Sequence, residues 1–399
     1  MKRVVSVVSG VLLTIVLAAP FPVPTEASAA DTKSVVTGNN AFAAGLYHKL
    51  GTREGNLFFS PYSISSALGM TYAGARGNTA REIREVLQFQ LDQTDLNAAF
   101  KKQNKELAAT ASASGQKLNI ASALVLTGGN VSDEYKATLK NSYDAESFAG
   151  GLDKINGWVK KKTEGKIEEI LTELSANSVC VLLNAIYFKG SWESQFRKGA
   201  THDAPFSVSP GKKVTAPLMY QKSDFAILEE KDFQAVALPY KGKSLSMVIL
   251  LPRSTDGLPA LERQLTPQVL KGWLAKLDAQ QPREIELFLP KFKVETGYDL
   301  KAPFQSMGMT DAFSPSNADF TGMGWPKGEL FIGQIKHKAV VEVNEEGTEA
   351  AAATAVEMIT KSMPYFPVFR ADHPFLYLIR DNRSGAILFM GRLADPAAR

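Results

Sequence analysis

Apolar residues recur along this chain with two periods, and the change from one to the other divides it. Over residues 36–50, Phe42, Leu46, Tyr47 and Leu50 fall three and four apart, which predicts a helix. Phe58-Phe59-Ser60-Pro61 reads as a short strand stopped at a Ser-Pro break, with Pro61 opening a helix that carries Ile64, Leu68 and Tyr72. Further helices are expected from about Thr79 with Ile83, Val86 and Leu87 inward, over 94–109, and from Asp153 to a stop at Gly165. Residues 118–126 and the long apolar run 179–189 read as strands, the second buried and central. After Pro205 the period becomes two, through FSV, FAILEE, AVALPY and LSMVILLP, interrupted by two proline-opened helices at 259–265 and 267–277. Residues 284–294 read as one more strand, followed by 331–343 and a pair within 375–392 around Asn382-Arg383-Ser384-Gly385. Helices come first and strands later, with no βαβ alternation, repeat or linker. That order predicts a single α+β domain built on mixed or antiparallel sheets.

One stretch breaks the simple pattern. Residues 343–364 read VNEEGTEAAAATAVEMITKSMP, and from Thr348 onward the even positions carry no charge. Glu349, Glu357 and Lys361 all fall on the odd positions, as in a strand with one buried and one wet face. Alanine, however, is a strong helix former and a poor strand former, and Thr348 can cap a helix over 349–361. A segment able to be loop, helix or strand is expected to change state.

Composition sets limits on this picture. The chain has 399 residues, 45% hydrophobic and 22% charged, which is ordinary for a globular protein with a large core. The formal charge of +4 points to no nucleic-acid or membrane partner. Lys2 and Arg3 precede an apolar run and the small-residue pattern Ala27-Ser28-Ala29, which reads as a secretory signal over residues 1–29. An uncleaved anchor helix is the competing reading. Cleavage would leave a domain of residues 30–399 exported from the cell, extracellular or periplasmic, with a formal charge of +3. The single Cys180 allows no internal disulfide, and its apolar surroundings make it a core thiol rather than a nucleophile.

Catalytic chemistry is not apparent. The sequence has no HExxH, GxSxG, P-loop or CxxC, and its four histidines show no ligand spacing, so no metal and no cofactor is expected. Lys101, Lys102 and Lys105 are interleaved with Glu106 and read as a solvated helix face. Asn130-Val-Ser132 and Asn382-Arg-Ser384 match the weak glycosylation pattern.

Blocks spread over the whole mature chain resemble the serpins, the serine protease inhibitors. They include Asn56-Leu-Phe-Phe-Ser-Pro-Tyr-Ser-Ile64, Ile155-Asn-Gly-Trp-Val159 with Thr163-Glu-Gly-Lys-Ile167, residues 184–192, Leu238-Pro-Tyr240, Leu289-Pro-Lys291, Ala318-Asp-Phe320, His337-Lys-Ala339 and Phe389-Met-Gly391. The resemblance implies a fold of three sheets and eight or nine helices, with a reactive loop at about 345–366. It implies no enzyme but a suicide inhibitor of the antitrypsin-like, inhibitory type, acting as a monomer. Such an inhibitor traps a serine protease in a covalent 1:1 acyl-enzyme as the cut loop inserts into the main sheet. By the same resemblance the hinge comprises Glu345, Glu346, Gly347, Thr348, Glu349, Ala350, Ala351, Ala352, Ala353 and Thr354. The gate for insertion comprises Ser60, Ser63, Asn184 and His337, and insertion starts at Trp192, Lys291 and Glu345. The reactive bond counts to Lys361-Ser362, implying a trypsin-like target. Met358-Ile359 and Met363-Pro364 are the runner-up bonds, and the loop is about two residues longer than usual. The alternatives are a carrier or storage member, or an inhibitor of elastase-like, chymotrypsin-like or cysteine proteases.

Overall fold

The computed structural model describes residues 27–174, 179–348 and 366–398. The bulk of the expected leader, hinge residues 349–354 and the Lys361-Ser362 bond lie outside them. In chain order, α1 (Ala29–Leu50), β1 (Leu57–Phe59), α2 (Pro61–Gly74), α3 (Gly77–Val86) and α4 (Gln93–Ala113) come first. Next are β2 (Lys117–Leu126), α5 (Asp133–Tyr143), β3 (Glu146–Ala149), α6 (Leu152–Lys162) and β4 (Cys180–Ser191). The strand-rich part holds β5 (His202–Ser209), β6 (Lys212–Glu229), β7 (Phe233–Pro239), β8 (Leu245–Pro252), α7 (Leu258–Gln264) and α8 (Pro267–Asp278). The chain continues with β9 (Arg283–Pro290), β10 (Phe292–Asp299), α9 (Lys301–Met307), β11 (Ile332–Val343), β12 (Gly347–Thr348), β13 (Val368–Arg370), β14 (Phe375–Asp381) and β15 (Ile387–Leu393).

Local sequence accounts for many of these boundaries. Ser60 accepts from the Ser63 N–H ahead of Pro61, and Asp92, Ser132 and Thr266 cap α4, α5 and α8 in the same way. The strand expected over 284–294 is two strands, and the reason lies in its phase. Ile285, Leu287 and Leu289 are buried on odd positions, Phe292 and Val294 on even ones. The inward face therefore slips by one residue at Pro290-Lys291, where the chain leaves one sheet for another. The periodic reading assigned nothing to α5, β3 or α9.

The large sheet runs β10-β11-β4-β2-β3, with β12 paired to β4. The other strands form one ladder, β1-β15-β14-β8-β7-β6-β9-β13, with β5 on β6. The 18-residue β6 divides it into two sheets. Leu218 to Phe225 pair with β9, and Ala226 to Glu229 pair with β7. The result is a three-sheet α+β fold with nine α-helices among the described residues. An aromatic core joins the sheets: Phe188 of β4 lies 5.0 Å from Tyr240 and 5.9 Å from Phe389, which stacks on Phe58 at 5.2 Å. On the opposite face of the large sheet, Ile155 and Val159 of α6 pack over Ala121, Ala123, Val181, Leu183, Ala185 and Val340.

Candidate functional site along the seam of the large sheet

At the middle of the large sheet β11 and β4 run parallel, paired from Ile332/Cys180 to Val340/Tyr187. Each has an antiparallel neighbour on its other side, β10 and β2. Beyond Tyr187 and Val340 the two strands part, and β12 occupies the opening, with Gly347 opposite Ser191 and Thr348 opposite Gly190, antiparallel to β4. A two-residue turn at Glu345-Glu346 connects β11 to β12, closed by Asn344 and Gly347 exchanging backbone bonds of 2.9 and 3.2 Å. Gly347 has φ +133°, and a Cβ there would lie 2.2 Å from the Gly190 carbonyl oxygen. Only glycine fits this position.

Charged and aromatic groups hold the turn. The Glu345 side chain is 7% exposed and sits 2.9 Å from Lys291 Nζ, and Thr201 Oγ1 donates to it at 2.8 Å. Burial raises the Glu345 carboxyl pKa, but hydrogen bonds from Lys291, its own backbone and Thr201 outweigh burial and hold it below the usual range. Lys198 pairs with Glu346 at 2.6 Å. Trp192 stacks on Tyr240 at 4.6 Å and donates from its ring to Asn344 O and from its backbone to Glu346 O, both at 3.0 Å. The Phe196 N–H donates to Glu345 O at 2.8 Å.

Halfway down the seam lies a neutral network. Asn184 and His337 are register partners on β4 and β11, and each is 1% exposed. The Ser60 N–H donates to His337 Nε2 at 3.1 Å, which leaves Nδ1 to donate to Asn184 Oδ1 at 2.7 Å. The Asn184 amide donates to Ser63 Oγ at 2.6 Å, to Ser63 O at 3.1 Å and to Ser122 Oγ at 3.0 Å. Ser60 Oγ accepts from Ser63 N–H and donates to Leu388 O at 2.6 Å. Burial pulls the His337 pKa down to about 3, the Asn184 contact opposing it, so the imidazole is neutral at ordinary pH. The single network thus ties α2, β2, β4, β11 and β15.

The structure thus brings Ser60, Ser63, Asn184 and His337 together in one place, and Glu345, Glu346, Lys291 and Trp192 in another. The sequence reading did not include Ser122, Thr201 or Lys198. Ser122 carries a signal of a kind, as a polar residue at a buried position of an apolar strand; the other two carry none. Cys180 is buried at the foot of β4, and burial pushes its thiol up, away from nucleophilic chemistry.

Comparison with known proteins agrees with this geometry. The family described as Serpin (serine protease inhibitor) matches residues 37–396. The leukocyte elastase inhibitor of Sus scrofa is 42% identical over 380 residues, covering 90% of this chain and 98% of that protein. Serpin B6 of Macaca fascicularis is 39% identical over 376 residues, with the same coverage of 90% and 98%. Among solved structures, human thyroxine-binding globulin superposes with a TM-score of 0.83 at 29% identity, covering 92% of this chain and all of that one. A glycine-turned strand entering a parallel seam, in a chain matched almost end to end, makes this protein a member of the serpin family of protease inhibitors.

Proposed function

We propose that this serpin is a secreted suicide inhibitor of trypsin-like serine proteases, cut at Lys361-Ser362, with the signal over residues 1–29 directing export. Register is the observation that supports insertion. When the β12 pairing is continued along β4, and the Asn344–Gly347 turn along β11, residue 354 falls opposite both Asn184 and His337. Those two are already partners, and the same agreement holds from Ala351 (Tyr187, Val340) to Glu357 (Val181, Gln334). One antiparallel strand therefore fits between β4 and β11 without slipping either, and replaces one parallel ladder with two antiparallel ones, the more stable kind per residue.

The composition of the segment suits that slot. Ala350, Ala352, Thr354 and Val356 take the side of Asn184 and His337, where a charge would be buried. Ala351, Ala353 and Ala355 pass beneath α6, where only small side chains leave Val159 and Ile167 undisturbed. Taking up about 14 residues at ~3.3 Å each carries the cut end on the order of 45 Å down the sheet. Roughly 10–20 hydrogen bonds at a net ~1 kcal/mol each match the ~5–15 kcal/mol stability of a protease domain.

Incubation with trypsin is expected to give a complex stable on a denaturing gel, with mass spectrometry placing the cut after Lys361. Unchanged trypsin inhibition by Lys361→Ala, or a cut elsewhere, rejects the assignment. A relative named for inhibiting leukocyte elastase favours a second reading, an elastase-like target cutting at Met358-Ile359, which the same mass measurement separates.

A further inference from the structure

At the end where the seam opens, the α6 face of the large sheet carries a row of charges. Lys117 of β2 is directly opposite Lys189 of β4, and across the seam Glu342 of β11 is directly opposite Lys293 of β10. On β4 this is the face of Val181, Leu183 and Ala185, which pack beneath α6. Like charges directly opposite one another are unfavourable, and only one of the two facing lysines is relieved. Lys117 Nζ lies 2.8 Å from Glu164, and Asn119 donates to the same carboxylate at 3.3 Å. Those bonds hold the Glu164 carboxyl below its usual range, the field of Lys189 adding a smaller contribution. Lys189 itself is half-buried and makes no ion pair among the described residues. The row therefore lacks a carboxylate beside Lys189 on the side of the seam.

The pairing of β12 with β4 reaches Thr348 opposite Gly190, one rung from this row. The next rung sets position 349 opposite Lys189, and the Asn344–Gly347 turn sets it opposite Glu342 as well. Glutamate stands at that position. We infer that Lys189 is the positioning residue for the first rung of insertion, taking the Glu349 carboxylate against the repulsion of Glu342. The inference rests on the insertion register proposed above. With that rung made, the row reads Lys117, Lys189, Glu349, Glu342, Lys293. Lys189 offsets Glu342, and the two outer lysines tip the balance toward entry. An acid at position 189 sets three carboxylates side by side instead. Until the loop is taken up, the acyl-enzyme ester is open to water, whose attack frees active protease and leaves a cut, spent inhibitor. A slower first rung therefore raises the ratio of cut inhibitor to covalent complex.

The test incubates the full chain with trypsin and reads that ratio on a denaturing gel, for wild type, Lys189→Glu, Glu349→Gln and the double variant. Lys189→Glu is expected to raise the ratio about three- to tenfold. Uncut, the same variant is expected to melt no lower than wild type, because its new carboxylate faces Lys117; loss of a merely structural lysine lowers the melting temperature. In the Glu349→Gln background, where the third carboxylate is gone, Lys189→Glu is expected to change the ratio by less than about twofold. A wild-type ratio in Lys189→Glu, or the same rise with and without Glu349, overturns the pairing and leaves the insertion reading standing. Absence of any covalent complex from wild type overturns both.

Discussion

The two stretches of the β4–β11 seam are held by opposite kinds of chemistry. At the open end Glu345, Lys291, Glu346 and Lys198 are ion-paired, and Lys291 and Lys198 keep 38% and 63% of their side chains exposed. Midway, Ser60, Ser63, Ser122, Asn184 and His337 are neutral, buried and satisfied by one another. Water and salt reach the two lysines of the first set and weaken its pairs from that side. They do not reach the second, where every broken bond leaves a buried polar group without a partner. A seam that opens from the wet end toward the dry one meets its stiffest resistance only after the entering strand has gained several rungs. In the insertion proposed above, residue 354 by then stands opposite Asn184 and His337 to supply replacement partners.

The largest effect comes from forcing the chemistry of the wet end into the dry one. Thr354→Arg brings a guanidinium, on insertion, between Asn184 and a neutral imidazole, and an unpaired buried charge costs several kcal/mol. Insertion then stalls while cleavage continues. The variant is expected to behave as a substrate, the number of inhibitor molecules consumed per protease rising more than tenfold. The cleaved variant is expected to show no gain in melting temperature over the intact one. A wild-type stoichiometry on the gel removes the register proposed for the inserted strand.

A smaller effect comes from titrating the dry network. The His337 pKa is about 3 in the fold, against an ordinary 6.5 for histidine. Below 6.5 the unfolded chain binds a proton that the native network refuses, so stability is full above that pH and is lost as pH falls toward 3. The Glu345 carboxyl, held below its ordinary 4.5, adds a loss only under that value. Denaturant midpoints taken from pH 7 to pH 5 are therefore expected to fall in wild type and to stay nearly flat in His337→Gln. Parallel slopes in the two proteins place the acid sensitivity elsewhere.

How much of this was legible follows the same division. Of the strands that flank the seam, 179–189 shows as an apolar run because burial on both faces leaves no polar alternation to misread, whereas 331–343 alternates buried with half-buried positions and carries Lys336, Lys338 and Glu342. The two-strand corner at Pro290-Lys291 is written in the sequence as a slip of phase, which reading residues 284–294 as one strand passes over. The role of Lys291 depended on the corner, because the corner brings its ammonium to Glu345. Ser122 becomes part of the network only through its register opposite Asn184. Thr201 and Lys198 reach Glu345 and Glu346 from about 145 residues away in sequence, and nothing in their own neighbourhood marks them. Local periodicity records burial; it does not record which distant strand arrives alongside.

The smallest expected effect is at the wet end. Lys291→Ala removes the main cation from Glu345, whose carboxylate keeps the Thr201 hydroxyl and loses a partner that was itself more than a third exposed. Screening limits such a pair to about 1 kcal/mol, and the gap left by lysine admits water to the carboxylate. Denaturation at low salt is expected to show that loss. Raising salt to about 1 M, where charges are screened within about 3 Å, is expected to bring wild type down toward the variant while leaving the variant nearly unmoved. A loss several times larger, insensitive to salt, means instead that the turn at Glu345-Glu346 is held by burial as tightly as the network below it. The two ends of the seam would then open together rather than in sequence.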